Sequence, residues 1–363
     1  MALFSGRPYL DPLEAEGDPA RNLSMQAALD DFMNNLSGSD VTTLERVALT
    51  VVEVTSATPP HAWAGHRHNE VHYSASLLKV AAMYTAHDLL AASKQQITDQ
   101  QPQSAADFFA SLDADFTPAI QAATPANIKN DPRITNTQIV PSYQQMLDPK
   151  LDASGVPVAV EFTANYSQLM SDMIIVSSDS AAMQCIHALG YGLINARLAD
   201  DGFFDGASQR GIWLGGDYSN GAQWPAVRVP AVNDGTSAQA TTAVDMARLY
   251  TLMSDEILVS VDNSDAMLAL LAQAGAWFDS TTPPIWPSST GIDATRTKVG
   301  VGPLSPNTAG VVEQVVSEGL TAHDQANQRD FVVVWQNLKG ATSFTNLSPV
   351  ARMIEAAING FNP

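Results

Sequence analysis

Segments with the character of β-strands lie near both ends of this chain, and segments with helical character fill its middle. The strand-like segments are rich in β-branched and apolar residues, and they are residues 47–55, 62–66, 296–302, 309–320 and 329–338. The helical segments have apolar residues at helical spacing, and they include residues 74–92, 166–189, 193–200 and 242–253. We therefore expect an α+β fold, in which an antiparallel sheet built from both chain ends is flanked by helices and an all-helical lobe is inserted.

This pattern divides the chain into three consecutive parts. Residues 1–70 supply the N-terminal helix and hairpin of the α/β lobe, and residues 71–265 form the all-helical lobe. Residues 266–363 supply the late strands and a C-terminal helix, which complete the α/β lobe. Within the helical lobe, residues 95–160 are rich in Gln, Asp and Pro, so we expect an irregular insertion there with a short helix near residues 105–112.

Composition limits the kinds of partner that the protein can have. Lys and Arg together number 18 and Asp and Glu 38, so the formal net charge is −20. This balance argues against nucleic acid and against anionic membranes, because both are bound by clustered basic residues. The chain has no uninterrupted apolar stretch of about 18 residues, so we expect no insertion into a membrane. A small-molecule or peptide-like partner remains, and the oligomeric state stays open.

The first motif that points to chemistry is Ser76-Leu77-Leu78-Lys79, in which the serine and the lysine lie one helical turn apart. A serine hydroxyl is a weak nucleophile until a neighbouring base accepts its proton. Lysine can act as that base when burial lowers its pKa, and the apolar residues that follow Lys79 favour burial. The motif alone is close to chance. However, the chain has six lysines, and only Lys79 has a serine three residues before it.

A second motif, Ser178-Asp179-Ser180, lies within the helical middle of the chain, at the predicted start of a helical segment. A hydroxyl and a short polar side chain at such a turn can project into a cleft. The alternative interpretation is simple helix capping, since Ser and Asp are both favoured at helix N-termini. The motif therefore gains weight only in combination with others.

The third motif is Lys298-Val299-Gly300, on the first of the late strands. A cation at Lys298 can hold an anionic group of a substrate, and the missing side chain at Gly300 lets a substrate backbone lie along the strand edge. The alternative is an exposed strand lysine followed by a turn. Together, the three motifs supply two hydroxyl groups and two ammonium groups, which are the groups that acyl transfer needs.

In this order, the motifs resemble the S-x-x-K, S-D-N and K-T-G elements of the serine β-lactamases and penicillin-binding proteins. The similarity extends to residues 178–203 and 240–253, covers most of residues 40–363, and is closest to class A β-lactamases. The resemblance implies a β-lactamase/transpeptidase-like fold and a serine hydrolase that needs no metal or other cofactor. It also implies action outside the cytoplasm, but residues 1–10 lack the features of a secretory signal, so the compartment stays open.

The resemblance assigns a role to each matching residue. Ser76 becomes acylated, Lys79 manages its proton, Ser178 relays a proton to the leaving group, and Lys298 supports that relay and attracts a substrate carboxylate. The residues that would bind substrate are Ser180, Gly300 and Val301. Ser180 takes the place of an asparagine that holds the substrate amide, and the backbone N–H groups of Ser76 and Val301 would form an oxyanion hole.

Three departures from the family pattern affect the expected mechanism. The glutamate of the E-x-x-L-N loop, which releases the acyl group in class A enzymes, is missing, because no glutamate occurs between Glu161 and Glu256. Asp217 and Asp234 are weak substitutes, since aspartates in such loops are usually turn formers. In addition, Ser180 replaces the asparagine of S-D-N, and Val299 replaces the threonine of K-T-G.

We therefore expect acylation at Ser76 by an amide or ester, such as a β-lactam or a peptide-like substrate, with atypical deacylation. The alternative is a catalytically impaired ligand-binding protein that retains the fold. The aromatic residues Trp213, Tyr218 and Trp224 either line a substrate pocket or pin a long loop.

Four histidines lie close together in the sequence, and they are His61, His66, His68 and His72. This cluster raises the question of a zinc site. The histidines lack the spacing of a zinc-binding helix, which favours a structural role and no metal.

Overall fold

The computed structural model describes residues 3–4, 9–13, 23–55, 58–218, 226–233, 235–281, 292–302, 314–338 and 348–361. Up to residue 78 the elements are α1 (Leu23–Asn34), α2 (Ser39–Leu44), β1 (Ala48–Glu53), β2 (Trp63–His66), β3 (His72–Tyr73) and a 3₁₀ helix (Ala75–Leu78). The next elements are α3 (Lys79–Gln100), α4 (Ala105–Ala123), α5 (Ala126–Lys129), a second 3₁₀ helix (Asn136–Gln138), α6 (Tyr143–Met146), β4 (Leu147–Leu151), β5 (Pro157–Phe162), α7 (Ala164–Ile174), α8 (Asp179–Leu189), α9 (Tyr191–Asp200) and β6 (Phe204–Asp205). The remaining elements are β7 (Arg210–Gly211), β8 (Trp213–Leu214), β9 (Val229–Ala231), β10 (Gly235–Ser237), β11 (Gln239–Thr241), α10 (Ala243–Ser254), α11 (Val261–Thr281), β12 (Ile292–Gly302), β13 (Gln314–Asp324), β14 (Arg329–Gln336) and α12 (Ser348–Gly360).

The chain divides into two compact units. One, here called the helical unit, comprises Met1–Tyr9, Lys79–Gln209 and Trp213–Arg228. The other, here called the sheet unit, comprises Leu10–Leu78, Arg210–Ile212 and Val229–Pro363. The chain thus enters the main part of the helical unit at Lys79, directly after the first 3₁₀ helix.

The sheet unit is organised around a five-stranded sheet in the order β12-β13-β14-β1-β2. The pairings of these strands are antiparallel, and β1 from the start of the chain pairs with β14 near its end. One sheet face contributes Leu49, Val299 and Trp335 to a core cluster that also contains residues of α1 and α12. Alternate strand residues reach the same face, so this core follows from the period-two pattern of the strands. The predicted α+β fold with a sheet from both chain ends is confirmed.

Helix α10 belongs to the sheet unit, where it packs against β1, β13 and β14. The sequence pattern predicts that residues up to 265 belong to the helical lobe, so the observed division differs from the expected one. Helical periodicity gives the apolar face of a helix but does not specify its partner, and α10 covers the sheet with buried residues such as Met246 and Tyr250.

The helical unit contains α3 to α9. Residues 79–87 of α3 are all buried, as expected for a helix with small and apolar residues on every side. The expectation of an irregular insertion at residues 95–160 is wrong, because α4 extends over 19 residues and β4 and β5 form a hairpin. The buried residues of α4 recur every four positions, and they are Phe108, Leu112, Phe116 and Ile120. No described helix has the length and apolar character that crossing a membrane requires.

Candidate active site

Ser76 lies in the sheet unit, on the 3₁₀ helix that leads directly into α3. The preceding Ser74 fixes this helix to the sheet by two hydrogen bonds. Ser317 Oγ donates to Ser74 O at 2.7 Å, and Gln336 Nε2 donates to Ser74 Oγ at 2.6 Å. Ser76 is 8% exposed. The nucleophile candidate is therefore a buried residue on a short, anchored turn.

Lys298 lies in the same unit, on β12, and is fully buried. Lys298 pairs with Gly319, and Gly300 pairs with Ser317. Cross-strand partners share a sheet face, and so do residues two apart on one strand. Lys298 therefore lies on the same face as Ser317, the face from which Ser317 reaches Ser74. This face packs against the 3₁₀ helix of Ser76. Within the sheet unit, the strand of Lys298 thus packs against the 3₁₀ helix of Ser76.

The backbone of β12 changes its pairing at the positions predicted to bind substrate. The register shifts between Gly300 and Val301, which is the signature of a β-bulge. Among the described strands of the sheet, β12 has a neighbour on one side only.

Lys79 is the first residue of α3 and is fully buried in the helical unit. Its Nζ donates to Ser177 O at 2.7 Å, to Ser177 Oγ at 3.3 Å and to Asp179 Oδ1 at 2.6 Å. The ring centroid of Tyr218 lies 4.5 Å from the same nitrogen. Burial lowers the pKa of Lys79, while the charge and the hydrogen bond of Asp179 act in the opposite direction.

The second motif lies at the junction of α7 and α8. The sequence predicts helical character over residues 166–189 with a helix start at this motif, and the structure has α7 ending at Ile174 and α8 beginning at Asp179. Ser178 is the N-cap of α8, and its Oγ accepts a hydrogen bond from the Ala181 backbone N–H at 3.2 Å. Ser180 is exposed in the first turn of α8. Ser178 therefore caps the helix while its two chain neighbours bind Lys79.

Asp217 is buried, and its carboxylate is bound by the helical unit itself. His187 Nε2, on α8, lies 2.6 Å from Asp217 Oδ2, and Tyr191 on α9 also hydrogen-bonds this carboxylate. The same loop is held at Leu214, whose N–H donates to Asn195 Oδ1 and whose carbonyl accepts from Asn195 Nδ2. The loop that carries Tyr218 is thus attached to α8 and α9. Asp234 and Trp224 lie outside the described residues.

Two of the four clustered histidines lie within 4 Å of a carboxylate. His61 Nε2 lies 2.9 Å from Asp255 Oδ2, and His72 Nε2 lies 3.4 Å from Glu70 Oε2. In the part of the chain that the structure describes, no three His, Cys, Asp or Glu side chains are arranged to hold a metal ion.

Sequence patterns assign no role to Ser177, Asp179 or His187, and they leave the role of Tyr218 open. Ser177 has a φ of 57°, a left-handed conformation that turns its carbonyl and hydroxyl toward Lys79. No sequence signal indicates this conformation in a serine. The one available sequence signal for a partner of Lys79 is the acidic residue Asp179 within the Ser178-Asp179-Ser180 motif.

Comparison with known proteins agrees with this architecture. The model of the β-lactamase enzyme family named Beta-lactamase2 matches residues 131–278. TLA-1 extended-spectrum β-lactamase is 9% identical, with a TM-score of 0.54 over 94% of this chain and 99% of that chain. A class A β-lactamase from Bacteroides cellulosilyticus DSM 14838 is 10% identical, with a TM-score of 0.53 over 93% of this chain and 98% of that chain. A search of curated protein sequences gave no match.

These likenesses show that the chain has the β-lactamase fold. The resemblance to the serine β-lactamase and penicillin-binding-protein superfamily, predicted from the motifs, is confirmed.

Proposed function

We propose that this protein is a serine hydrolase or acyltransferase that forms an acyl-enzyme at Ser76 with a β-lactam or a peptide-like amide or ester. The observation that carries the proposal is the complete burial of Lys79, three residues after Ser76 and with its pKa lowered by that burial. A buried lysine with a lowered pKa is the base that an S-x-x-K serine needs.

In the proposed reaction, the neutral Lys79 amine accepts the Ser76 proton as Oγ forms a bond to the substrate carbonyl carbon. The bond from that carbon to the leaving nitrogen or oxygen then breaks, and Ser178 relays to the leaving atom the proton that Lys79 took up, which returns Lys79 to its neutral form. The buried cation of Lys298 attracts an anionic substrate group. The backbone N–H groups of Ser76 and Val301 stabilise the developing oxyanion.

Deacylation is expected to be slow. No glutamate lies between Glu161 and Glu256. Asp217, the substitute considered, is buried and is already bound by His187, so its carboxylate is not free to activate a water. The acyl-enzyme should therefore accumulate.

The test is covalent labelling followed by intact-mass analysis. The protein is incubated with a fluorescent penicillin, a panel of β-lactams and an activated ester, and the adduct is located by peptide mapping. We expect one adduct at Ser76 that is absent in Ser76→Ala. Failure of every reagent to label Ser76 in the folded protein would refute the proposal.

The alternative function is a ligand-binding protein without turnover, and the observation that favours it is the engagement of Lys79 by Asp179 at 2.6 Å. A lysine that stays protonated cannot accept the serine proton. Tight binding of a peptide-like or β-lactam ligand that persists in Ser76→Ala, without any covalent adduct, would establish this alternative. If Ser76→Ala loses both ligand binding and covalent labelling, the result would argue for the enzyme.

A further inference from the structure

The ammonium group of Lys79 is fully engaged. An ammonium group has three N–H donors, and three oxygen atoms accept from Lys79: Ser177 O, Ser177 Oγ and Asp179 Oδ1. The face of the Tyr218 ring, 4.5 Å away, adds a further interaction that a cation makes and a neutral amine does not. The surroundings of Lys79 therefore match its protonated form.

This arrangement opposes the chemistry that the proposed function requires. Only the neutral amine has a lone pair with which to accept the proton of Ser76. Burial favours the neutral amine, whereas the Asp179 carboxylate favours the ammonium ion. The protonation state of Lys79 is thus set by a balance in which Asp179 supplies the opposing charge.

We propose that Asp179 is a positioning residue that holds Lys79 as an ammonium ion and thereby sets the pH above which Ser76 becomes acylated. This inference rests on the proposed function. Above that pH, the ammonium ion loses a proton to solvent, and the neutral amine then accepts the proton of Ser76 as the ester forms.

The groups around Lys79 support the assignment to Asp179. Among the described residues, Asp179 on α8 is the one charged residue that affects the pKa of Lys79. From the loop that follows β8, Tyr218 faces Lys79 with its ring. The Asp179 side chain is 59% exposed, while that of Lys79 is fully buried. Because Asp179 lies at the surface, a substitution there changes the charge next to Lys79 without opening a cavity in the core.

Lysine titration measured by NMR tests the first half of the inference without any substrate. The chain has six lysines, so the [¹³Cε]-lysine signals can be resolved and Lys79 assigned with Lys79→Arg. We expect Asp179→Asn to lower the pKa of Lys79 and Asp179→Glu to keep it near the wild-type value. The matched control is Asp148→Asn, which removes the partner 2.6 Å from Lys150 at the surface and leaves the Lys79 signal unchanged.

The second half is tested by the pH dependence of Ser76 acylation, followed by intact mass with an activated ester. We expect Asp179→Asn to move the rise in rate to lower pH. On the acidic limb, its rate should exceed that of the wild type on the order of tenfold. Asp179→Glu should retain the wild-type profile. A substitution that merely disturbed the fold would lower the rate at every pH and leave the midpoint in place.

The outcomes separate the two claims. If the wild type acquires no Ser76 adduct at any pH, the proposed function fails and the inference fails with it. If the adduct forms, but Asp179→Asn changes neither the Lys79 titration nor the midpoint of acylation, the inference alone is overturned.

Discussion

At the scale of single residues, two backbone positions are strained next to the motif serines. Ala75 precedes Ser76 with a φ of 46°, and Ser177 precedes Ser178 with a φ of 57°. The left-handed region costs an L-residue about 1–2 kcal/mol, and such strain often occurs at functional sites. Hydrogen bonds to Ser74 O and from Lys79 Nζ hold these turns in place.

Ala75→Gly tests this strain by urea denaturation. Glycine adopts a positive φ without cost, so relief of strain should offset the loss of the buried methyl group. The matched control is Ala81→Gly, a buried alanine inside α3. We expect Ala75→Gly to reduce the free energy of unfolding by about 1 kcal/mol less than Ala81→Gly does. Equal losses would contradict the account.

A second residue-scale prediction concerns Asp88, which lies 3.3 Å from Arg197 Nε in the helical unit. Burial raises the pKa of Asp88 from its usual value to about 7, although Arg197 acts in the opposite direction. The folded-state pKa is above that of the unfolded chain. The stabilisation from the Asp88 proton is therefore complete below about pH 4 and is lost as the pH rises through about 7.

We expect the wild type to lose stability relative to Asp88→Asn as the pH rises through this window. Urea denaturation at a series of pH values between about 4 and 8 measures it. A difference that stays constant with pH would contradict the assignment.

At the scale of elements, the contact between the sheet and the 3₁₀ helix of Ser76 depends on a glycine. A Cβ at Gly319 would lie 2.8 Å from Tyr250 Cε2 and 3.1 Å from Leu77 Cδ1. Strand β13 can approach α10 and the 3₁₀ helix this closely only without a side chain at position 319.

Gly319→Ala should therefore destabilise the protein by about 1–3 kcal/mol and slow labelling of Ser76. Thermal unfolding and the labelling rate measure the two effects. Gly206→Ala is the control, because a Cβ there meets nothing within 4 Å. If the two variants behave alike, close packing at Gly319 does not position the 3₁₀ helix.

Elements with a strong periodic signal could be predicted from the sequence. The hairpin of β1 and β2, the late strands and α9 lie close to their expected positions. The start of α8 at the Ser178-Asp179-Ser180 motif was predicted, whereas the left-handed conformation of Ser177 before it was not. The predicted length of α4 was too short. Pro118 and the surrounding polar residues obscured the apolar residues that recur every four positions.

The candidate site was predictable in its residue types but not in its contacts. The three motifs predict Ser76, Lys79, Ser178 and Lys298 as site residues from order and spacing, and these roles stay predictions. The pairing of Lys79 with Asp179 joins residues 100 positions apart, and no local pattern specifies it. The same holds for the binding of Asp217 by His187.

At the scale of the whole molecule, the dominant feature is the formal charge of −20. Like charges repel in the compact state, and added salt screens this repulsion. We expect the melting temperature at pH 8 to rise between about 20 and 300 mM NaCl, with a smaller change at pH 5, near the sequence pI of about 4.4. A melting temperature that falls with salt at pH 8 would show that specific ion pairs outweigh the net repulsion.

The fold brings residues from distant parts of the sequence into one sheet, since β1 near the N-terminus pairs with β14 near the C-terminus. This sheet supports Lys298 and anchors the turn of Ser76, and the chain then continues directly into the helix that begins with Lys79. The central claim for the molecule is that Ser76 reacts and Lys79 accepts its proton.

The most direct test is the second-order rate constant for acylation of Ser76 by an activated ester, measured for the wild type and Lys79→Met at a pH where the wild type is active. Lys94→Met, an exposed position on the same helix, is the control. If Lys79 accepts the Ser76 proton, the rate for Lys79→Met is at least about 100-fold lower and that for Lys94→Met is unchanged. Equal rates in a folded Lys79→Met variant would contradict it.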